Sequence, residues 1–158
     1  MLSSDKAKEK NKMEKNRKEL KSFSLLILLI VALELIRNIV TVCVNGIPEM
    51  KEIPEGMTKD MVHAVAVVAF VLTFVVFIPQ IYVGIKGIKI ANGAESGKAH
   101  IIWAAILMIF AGISVITGIS ALTKAVSFDA VMDLVGPAVD FIVFAFYFVY
   151  ARRVANGN

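Results

Sequence analysis

The sequence predicts an all-α polytopic membrane protein, an up-down bundle of four transmembrane helices with both termini in the cytoplasm. One observation is composition: 58% of the 158 residues are apolar and the mean hydropathy is +0.74, whereas soluble domains are about 45–50% apolar. Another is that four apolar runs each have about the 20 residues that a helix needs to span a bilayer. They lie at about 22–44, 62–84, 101–122 and 131–151.

The third observation is the distribution of basic residues. Thirteen of the seventeen Lys and Arg residues lie before residue 22, in the connection at 84–99 or at the C-terminus. The other two connections, at 45–60 and 123–130, are poor in them. The positive-inside rule therefore predicts that both termini face the cytoplasm. We expect a multi-pass protein of the plasma membrane.

The N-terminal segment at 1–21 alternates Lys with Glu and Asn and has almost no apolar residues. It cannot bury a core, so we expect it to be disordered or transiently helical and to anchor the topology. It lacks interleaved aromatic residues, so nucleic acid is not predicted as a partner. The predicted organisation is thus a basic tail at 1–21, a transmembrane domain at 22–151 and a short tail at 152–158.

The first apolar run is predicted to be a retained span, because it is about twice as long as the apolar part of a signal peptide and no Ala-x-Ala site follows it. Cys43 is the only cysteine in the chain, which excludes an internal disulfide and a redox Cys-x-x-Cys pair. Thr58 is placed to cap the second helix at its start and Gly93 at its end. The short connections predict that consecutive helices are antiparallel neighbours.

Ionisable residues interrupt two of the apolar runs. Glu34, Arg37 and Asn38 share one face of the first helix, and Asp133 and Asp140 share one face of the fourth. Each charge at a bilayer centre costs about 2.5–3.5 kcal/mol on insertion scales. We therefore expect these side chains to pair, to line a wet cavity or to exchange protons.

The depths of these residues along the helix axes suggest a pairing. Arg37 is predicted to lie between Asp133 and Asp140 in depth, so it could bridge to either if the first and fourth helices pack together. Glu34 with Arg37 is the competing pair. One arginine serves three acids, so a carboxyl group that is protonated near neutral pH is also expected. A structural clamp and a proton-coupling site both fit this pattern.

Two helices contain proline at positions that suit a hinge or a fixed bend. Pro137, preceded by Gly136, frees the carbonyl of Asp133 from its helical hydrogen bond. Pro79, followed by Gln80, likewise frees a backbone carbonyl from its helical hydrogen bond near the end of the second helix.

The third helix has small residues along one face, which predicts a close helix–helix contact, either internal or between protomers. The face comprises Ala111, Ser114, Gly118 and Ala121. His63 and His100 are predicted to lie near opposite membrane surfaces and the sequence shows no cluster of metal ligands, so neither a metal site nor a cofactor is predicted.

Two stretches carry a family resemblance. The segment at 81–109, IYVGIKGIKIANGAESGKAHIIWAAILMI, resembles an inner-loop pattern of small four-helix bacterial membrane proteins of undefined role, which implies a bacterial inner membrane. The segment FIPQIYVGIK resembles the signature of PQ-loop transporters, the SWEET class among them, through Pro79 and Gln80. That resemblance implies a hinge in the Pro-Gln helix and a dimer around a substrate path.

The sequence contains no nucleophile–base pair, metal cluster or glycine-rich phosphate loop, so an enzyme is not predicted. The leading hypothesis is a small membrane protein that acts by protein–protein interaction in the bilayer, as an accessory or immunity-type subunit or a homo-oligomer. The alternative is a small oligomeric transporter or proton-coupled conduit that uses Glu34, Arg37 and Asp140.

Overall fold

The computed structural model describes residues 2–46, 58–124 and 128–157, and every secondary-structure element in them is an α-helix. The helices are α1 (Leu2–Asn45), α2 (Lys59–Ala91), α3 (Ala99–Lys124) and α4 (Phe128–Ala155). All four are long and apolar enough to cross a membrane, which is consistent with a multi-pass membrane protein. The prediction of an all-α chain with four such helices is confirmed.

The N-terminal segment belongs to the first helix. Residues 2–21, which are predicted to be disordered or transiently helical, are part of α1, one helix from Leu2 to Asn45. The Lys and Glu residues of this segment are good helix formers, and the apolar span that follows supplies the costly helix nucleus. Two side chains of the segment, Asn16 and Leu20, are also buried, so packing holds this part of the helix.

Both ends of α2 have the predicted caps. The backbone N–H of Met61 donates to Thr58 Oγ1 at 3.3 Å. At the other end, Gly93 has a φ of +74° and its N–H donates to the Ile90 carbonyl, while the Ala94 N–H donates to the Lys89 carbonyl. This pair of bonds is a Schellman motif, which requires the left-handed conformation that glycine adopts without strain.

The chain divides into two compact units. Unit 1 comprises Met1–Leu28 and Pro79–Asn158, and unit 2 comprises Leu29–Ile78. The helices α1 and α2 are each continuous across the boundary. In unit 2, Val31, Val62 and Phe77 are among the buried side chains. Its aromatic residues Phe70, Phe74 and Phe77 meet edge to face along α2.

In unit 1, α3 packs against α4 along most of its length. Gly112 of α3 faces Phe141 of α4, and Gly118 faces Leu134. The later residue of α3 thus contacts the earlier residue of α4, so the two helices run antiparallel. Glycine at these two positions brings the backbones close, as is common between membrane helices.

The first part of α1 contacts α4 through aromatic rings. Phe23 stacks on Phe146 with ring centroids 5.3 Å apart and on Tyr150 at 5.6 Å. The guanidinium carbon of Arg153 lies 5.5 Å from the centre of the Tyr150 ring, in a cation–π arrangement. These contacts bring the basic end of α4 beside the start of the first apolar run.

Candidate functional site

The predicted charged residues of α1 all lie in unit 2. Glu34 and Asn38 are half-buried, and Arg37 is exposed. Glu34 lies within electrostatic range of Arg37, which follows one turn later on the same helical face. The competing pair within α1 is therefore compatible with the local geometry.

The predicted acids of α4 belong to unit 1. Asp140 is half-buried and engaged in an interaction, whereas the side chain of Asp133 lies outside the described part of the chain. The bridge from Arg37 to Asp140 or Asp133 joins residues of different units and stays a prediction.

The predicted hinge positions differ in their surroundings. Pro79 is half-buried and is the first residue of unit 1 in α2, so the division into units coincides with this proline. Gln80 is buried. In α4, Pro137 is half-buried and Gly136 is exposed, with open space where a Cβ would lie. Both prolines lie inside helices that continue past them.

Part of the small-residue face of α3 packs on α4, and part of it is exposed. Gly118 packs on α4, where an added Cβ would lie 3.0 Å from Leu134 Cδ1. Ala111 is half-buried, while Ser114 and Ala121 are exposed. The Ser114 hydroxyl donates to the Phe110 carbonyl of its own helix at 3.1 Å, so its hydrogen bonding needs no partner outside α3.

The best-packed polar site in unit 1 was not predicted from the sequence. Tyr147 is fully buried, and its hydroxyl donates to the Val83 carbonyl of α2 at 3.0 Å. A Cβ added at Gly87 would lie 2.6 Å from Tyr147 Cε2 and would also overlap Ser24 Oγ. The absence of a side chain at Gly87 therefore allows α1, α2 and α4 to meet at the tyrosine.

Two further polar side chains complete this site, which we call the Tyr147 cluster (Ser24, Val83, Gly87, His100 and Tyr147). Ser24 is fully buried and its hydroxyl donates to the Leu20 carbonyl at 2.6 Å. His100 is 2% exposed, its ring meets the Tyr147 ring edge to face at 6.1 Å, and its Nε2 has no hydrogen-bond partner among the described residues. One buried cluster thus joins all four helices of unit 1.

The connection between α2 and α3 carries an ion-paired group. Both Lys86 and Lys89 contact the Glu95 carboxylate, and the Lys89 Nζ lies 2.9 Å from Oε1. The hydrogen bond from Lys86, followed by that from Lys89, holds the pKa of Glu95 below its ordinary value. The two ammonium groups therefore hold the connection against the end of α2 and neutralise its only acid.

Two sequence signals pointed toward the Tyr147 cluster. Gly84 and Gly87 are spaced by three in the repeated GIKGIK, which puts a flat strip on one face of α2. Tyr147 lies on the same helical stripe as Asp140, two turns later. Neither signal identifies the carbonyl that the tyrosine binds, because that depends on the register between α2 and α4.

In the ranges 2–46, 58–124 and 128–157, no three His, Cys, Asp or Glu residues lie close enough together to hold a metal ion. The chain matches no family model, no curated protein and no solved structure. Its function must therefore be inferred from its own residues.

Proposed function

We propose that the protein is a non-enzymatic membrane protein that acts by binding another membrane protein, or a second copy of itself, through its helices in the bilayer. An accessory or immunity-type subunit is the class that this description fits. The observation that carries the proposal is the exposed part of the α3 face. Ser114 and Ala121 of the predicted face are exposed, and Thr117, which was not part of that prediction, is exposed beside them. These three residues are spaced by three and four, so they form one narrow strip of small side chains.

A strip of small side chains packs better against another helix than against lipid. Acyl chains pack equally well against large apolar residues, whereas a partner helix gains dispersion contacts when small residues let its backbone approach. The Ser114 and Thr117 hydroxyls are bonded to carbonyls of their own helix, so a partner would not need to supply polar groups. The large apolar side chain of Ile113 lies beside the strip and is exposed.

The low burial of the apolar runs is compatible with the proposal. Only 11% of the most apolar window of α3 is buried within the chain, the same share as for α1, against 19% for α2 and 22% for α4. The third helix therefore keeps outward-facing residues although it packs on α4. Such a helix is available for contact with a neighbour.

Site-directed photocrosslinking tests the proposal. A benzophenone maleimide is attached to the introduced thiol of S114C in a C43S background, since Cys43 is an exposed thiol that would otherwise react. The matched control is I109C, on the opposite side of α3 and also exposed. We expect a defined protein adduct, with another protein or with a second copy, from S114C only. Equal yields from both sites, or lipid adducts alone, would contradict the proposal.

The location and orientation are part of the same proposal. Thirteen of the seventeen basic residues lie in regions that an even number of spans puts on one side, which favours cytoplasmic termini in a bacterial inner membrane. Thiol labelling of N158C and of G46C, each in the C43S background, distinguishes the two sides. Labelling of N158C by an impermeant reagent in intact cells would reverse the orientation.

A second candidate function is a proton-coupled conduit, because Glu34 and Asp140 are both half-buried carboxyl groups within apolar helices. Liposomes that contain the protein should then show a pH change or substrate flux that the D140N variant loses. If neither protein moves protons or substrate and D140N is merely less stable, the carboxyl group has a structural role.

The charge-swapped variant R37D with D140R tests the predicted pair directly. We expect each single substitution to lower accumulation in the membrane and the double substitution to restore it. If neither single substitution lowers accumulation, Arg37 and Asp140 do not form a pair that matters for folding.

A further inference from the structure

Unit 1 contains a cavity of about 440 Å³ where its helices end at the α2–α3 connection. We call it the loop cavity. Its wall comes from Arg17 of α1, from the connection at 93–98, and from Val154 and Ala155 at the end of α4. The volume lies within the range of about 300–1,000 Å³ that is typical of small-molecule sites.

The charged groups around the loop cavity are positive on balance. Arg17 and Lys98 line it, and the carboxylate of Glu95 is the only acid in its wall. Both oxygens of that carboxylate are already occupied by Lys86 and Lys89. An anion that enters the cavity therefore meets two exposed cations and an acid whose charge is neutralised.

The Arg17 side chain lies beside the glycine cap of α2. A Cβ added at Gly93 would lie 3.4 Å from Arg17 Nη1, which is an ordinary contact distance. The left-handed φ of Gly93 makes any other residue strained there. The end of α2 and the Arg17 guanidinium thus border the same cavity.

One wall of the loop cavity is apolar. Ile90, Val154 and Ala155 line it, and Ile90 is buried. The apolar helices α2 and α4 both end beside it, at Ala91 and Ala155, and α3 begins at Ala99. The cavity therefore lies where apolar spans give way to basic residues, which is the depth at which lipid headgroups are found.

We propose that the loop cavity binds a phosphate group through Arg17 and Lys98. A planar guanidinium can donate two parallel hydrogen bonds to phosphate oxygens, and the lysine adds a point charge. Two sources share this chemistry: the headgroup of an anionic phospholipid, whose acyl chains would follow the apolar wall, and a free phosphate from solution.

The test uses the full-length protein in a neutral detergent. Binding of phosphatidylglycerol is measured by native mass spectrometry and by thermal shift, with phosphatidylcholine and inorganic phosphate as separate arms. The R17Q/K98Q variant should bind phosphatidylglycerol about twentyfold more weakly, because each charge-assisted hydrogen bond from the cavity to the phosphate contributes a few-fold. The matched control is K15Q/K21Q, which removes two exposed charges of α1 that do not line the cavity.

A second variant tests the cavity without changing charge. A155F places a ring in the wall of the cavity and should also weaken binding, since Ala155 is an exposed wall residue whose substitution leaves the core intact. Stabilisation by inorganic phosphate alone would identify the free anion as the source. Equal loss in R17Q/K98Q and K15Q/K21Q, or unchanged binding by A155F, would overturn the proposal, whatever the photocrosslinking shows.

Discussion

Polar residues are buried to different extents in the two units of the molecule. In unit 1 the Tyr147 cluster is buried, and the tyrosine and serine hydroxyls donate to backbone carbonyls. In unit 2 the polar residues of α1 are half-buried or exposed. Their charge nevertheless makes them easier to recognise in the sequence than the residues of the Tyr147 cluster. In this chain, the charged residues within an apolar run therefore lie on half-buried or exposed faces, whereas the small residues of the Tyr147 cluster lie where helices pack.

This comparison leads to an energetic expectation. A membrane helix gains little from burying apolar surface, because lipid is as apolar as a protein core. Dispersion contacts and hydrogen bonds at close approaches then dominate stability. Substitutions in the Tyr147 cluster should consequently cost more than substitutions on the outward faces.

The largest effect is expected from Y147A. Removal of this fully buried ring leaves a cavity and removes the bond to Val83, so the free energy of unfolding should fall by about 3 kcal/mol. The matched control is F110A on α3, because Phe110 is 64% exposed. Denaturant titration in mixed micelles, followed by helix content, measures both. A smaller loss for Y147A than for F110A would reverse the comparison.

The next effect is expected from G87A. The added methyl group would overlap Ser24 and Tyr147, and overpacking of this kind costs about 1–3 kcal/mol. The control G136A adds the same methyl group to a helix at a position with open space, so it should change stability by less than about 1 kcal/mol. The two variants are compared by the same titration. If G87A proves as stable as G136A, α2 and α4 do not approach each other as described.

A smaller effect is expected from Y147F. The ring and its packing remain while the bond to Val83 is lost, which should cost about 1 kcal/mol. The carbonyl keeps the helical partner that a regular α-helix supplies, so no acceptor is left unsatisfied. Comparison of Y147F with Y147A separates the hydrogen bond from the packing. Equal losses would mean that the ring contributes nothing beyond its hydroxyl.

The smallest effect concerns acid stability. Lys86 and Lys89 lower the pKa of Glu95 in the folded state, so this contribution to stability is present above the ordinary carboxyl pKa of 4.5 and is lost as the pH falls through the lowered value. The wild type should therefore lose stability below about pH 4 more steeply than E95Q. Thermal unfolding from pH 6 to pH 3 measures the difference. Parallel curves would show that the ion pairs do not persist in solution.

The helices were predictable because length and apolar composition decide them. Thr58 and Gly93 were predictable as caps because local chemistry determines each end of α2. Composition alone left residues 2–21 either disordered or transiently helical, because low apolar content favours disorder whereas Lys and Glu are good helix formers. The Tyr147 cluster was missed for a different reason: its contacts join residues up to 64 positions apart, and single-helix patterns carry no information on that register.

The extension of α1 beyond its apolar run has a consequence for how far its charges can act. Residues 2–21 rise about 30 Å along the helix axis, whereas the Debye length at physiological ionic strength is about 8 Å. If α1 continues along the membrane normal beyond its apolar run, only the last turns of this segment, which include Arg17 and Lys21, lie within one Debye length of a lipid surface. The lysines nearer the N-terminus would then be screened from that surface and would attract soluble ligands.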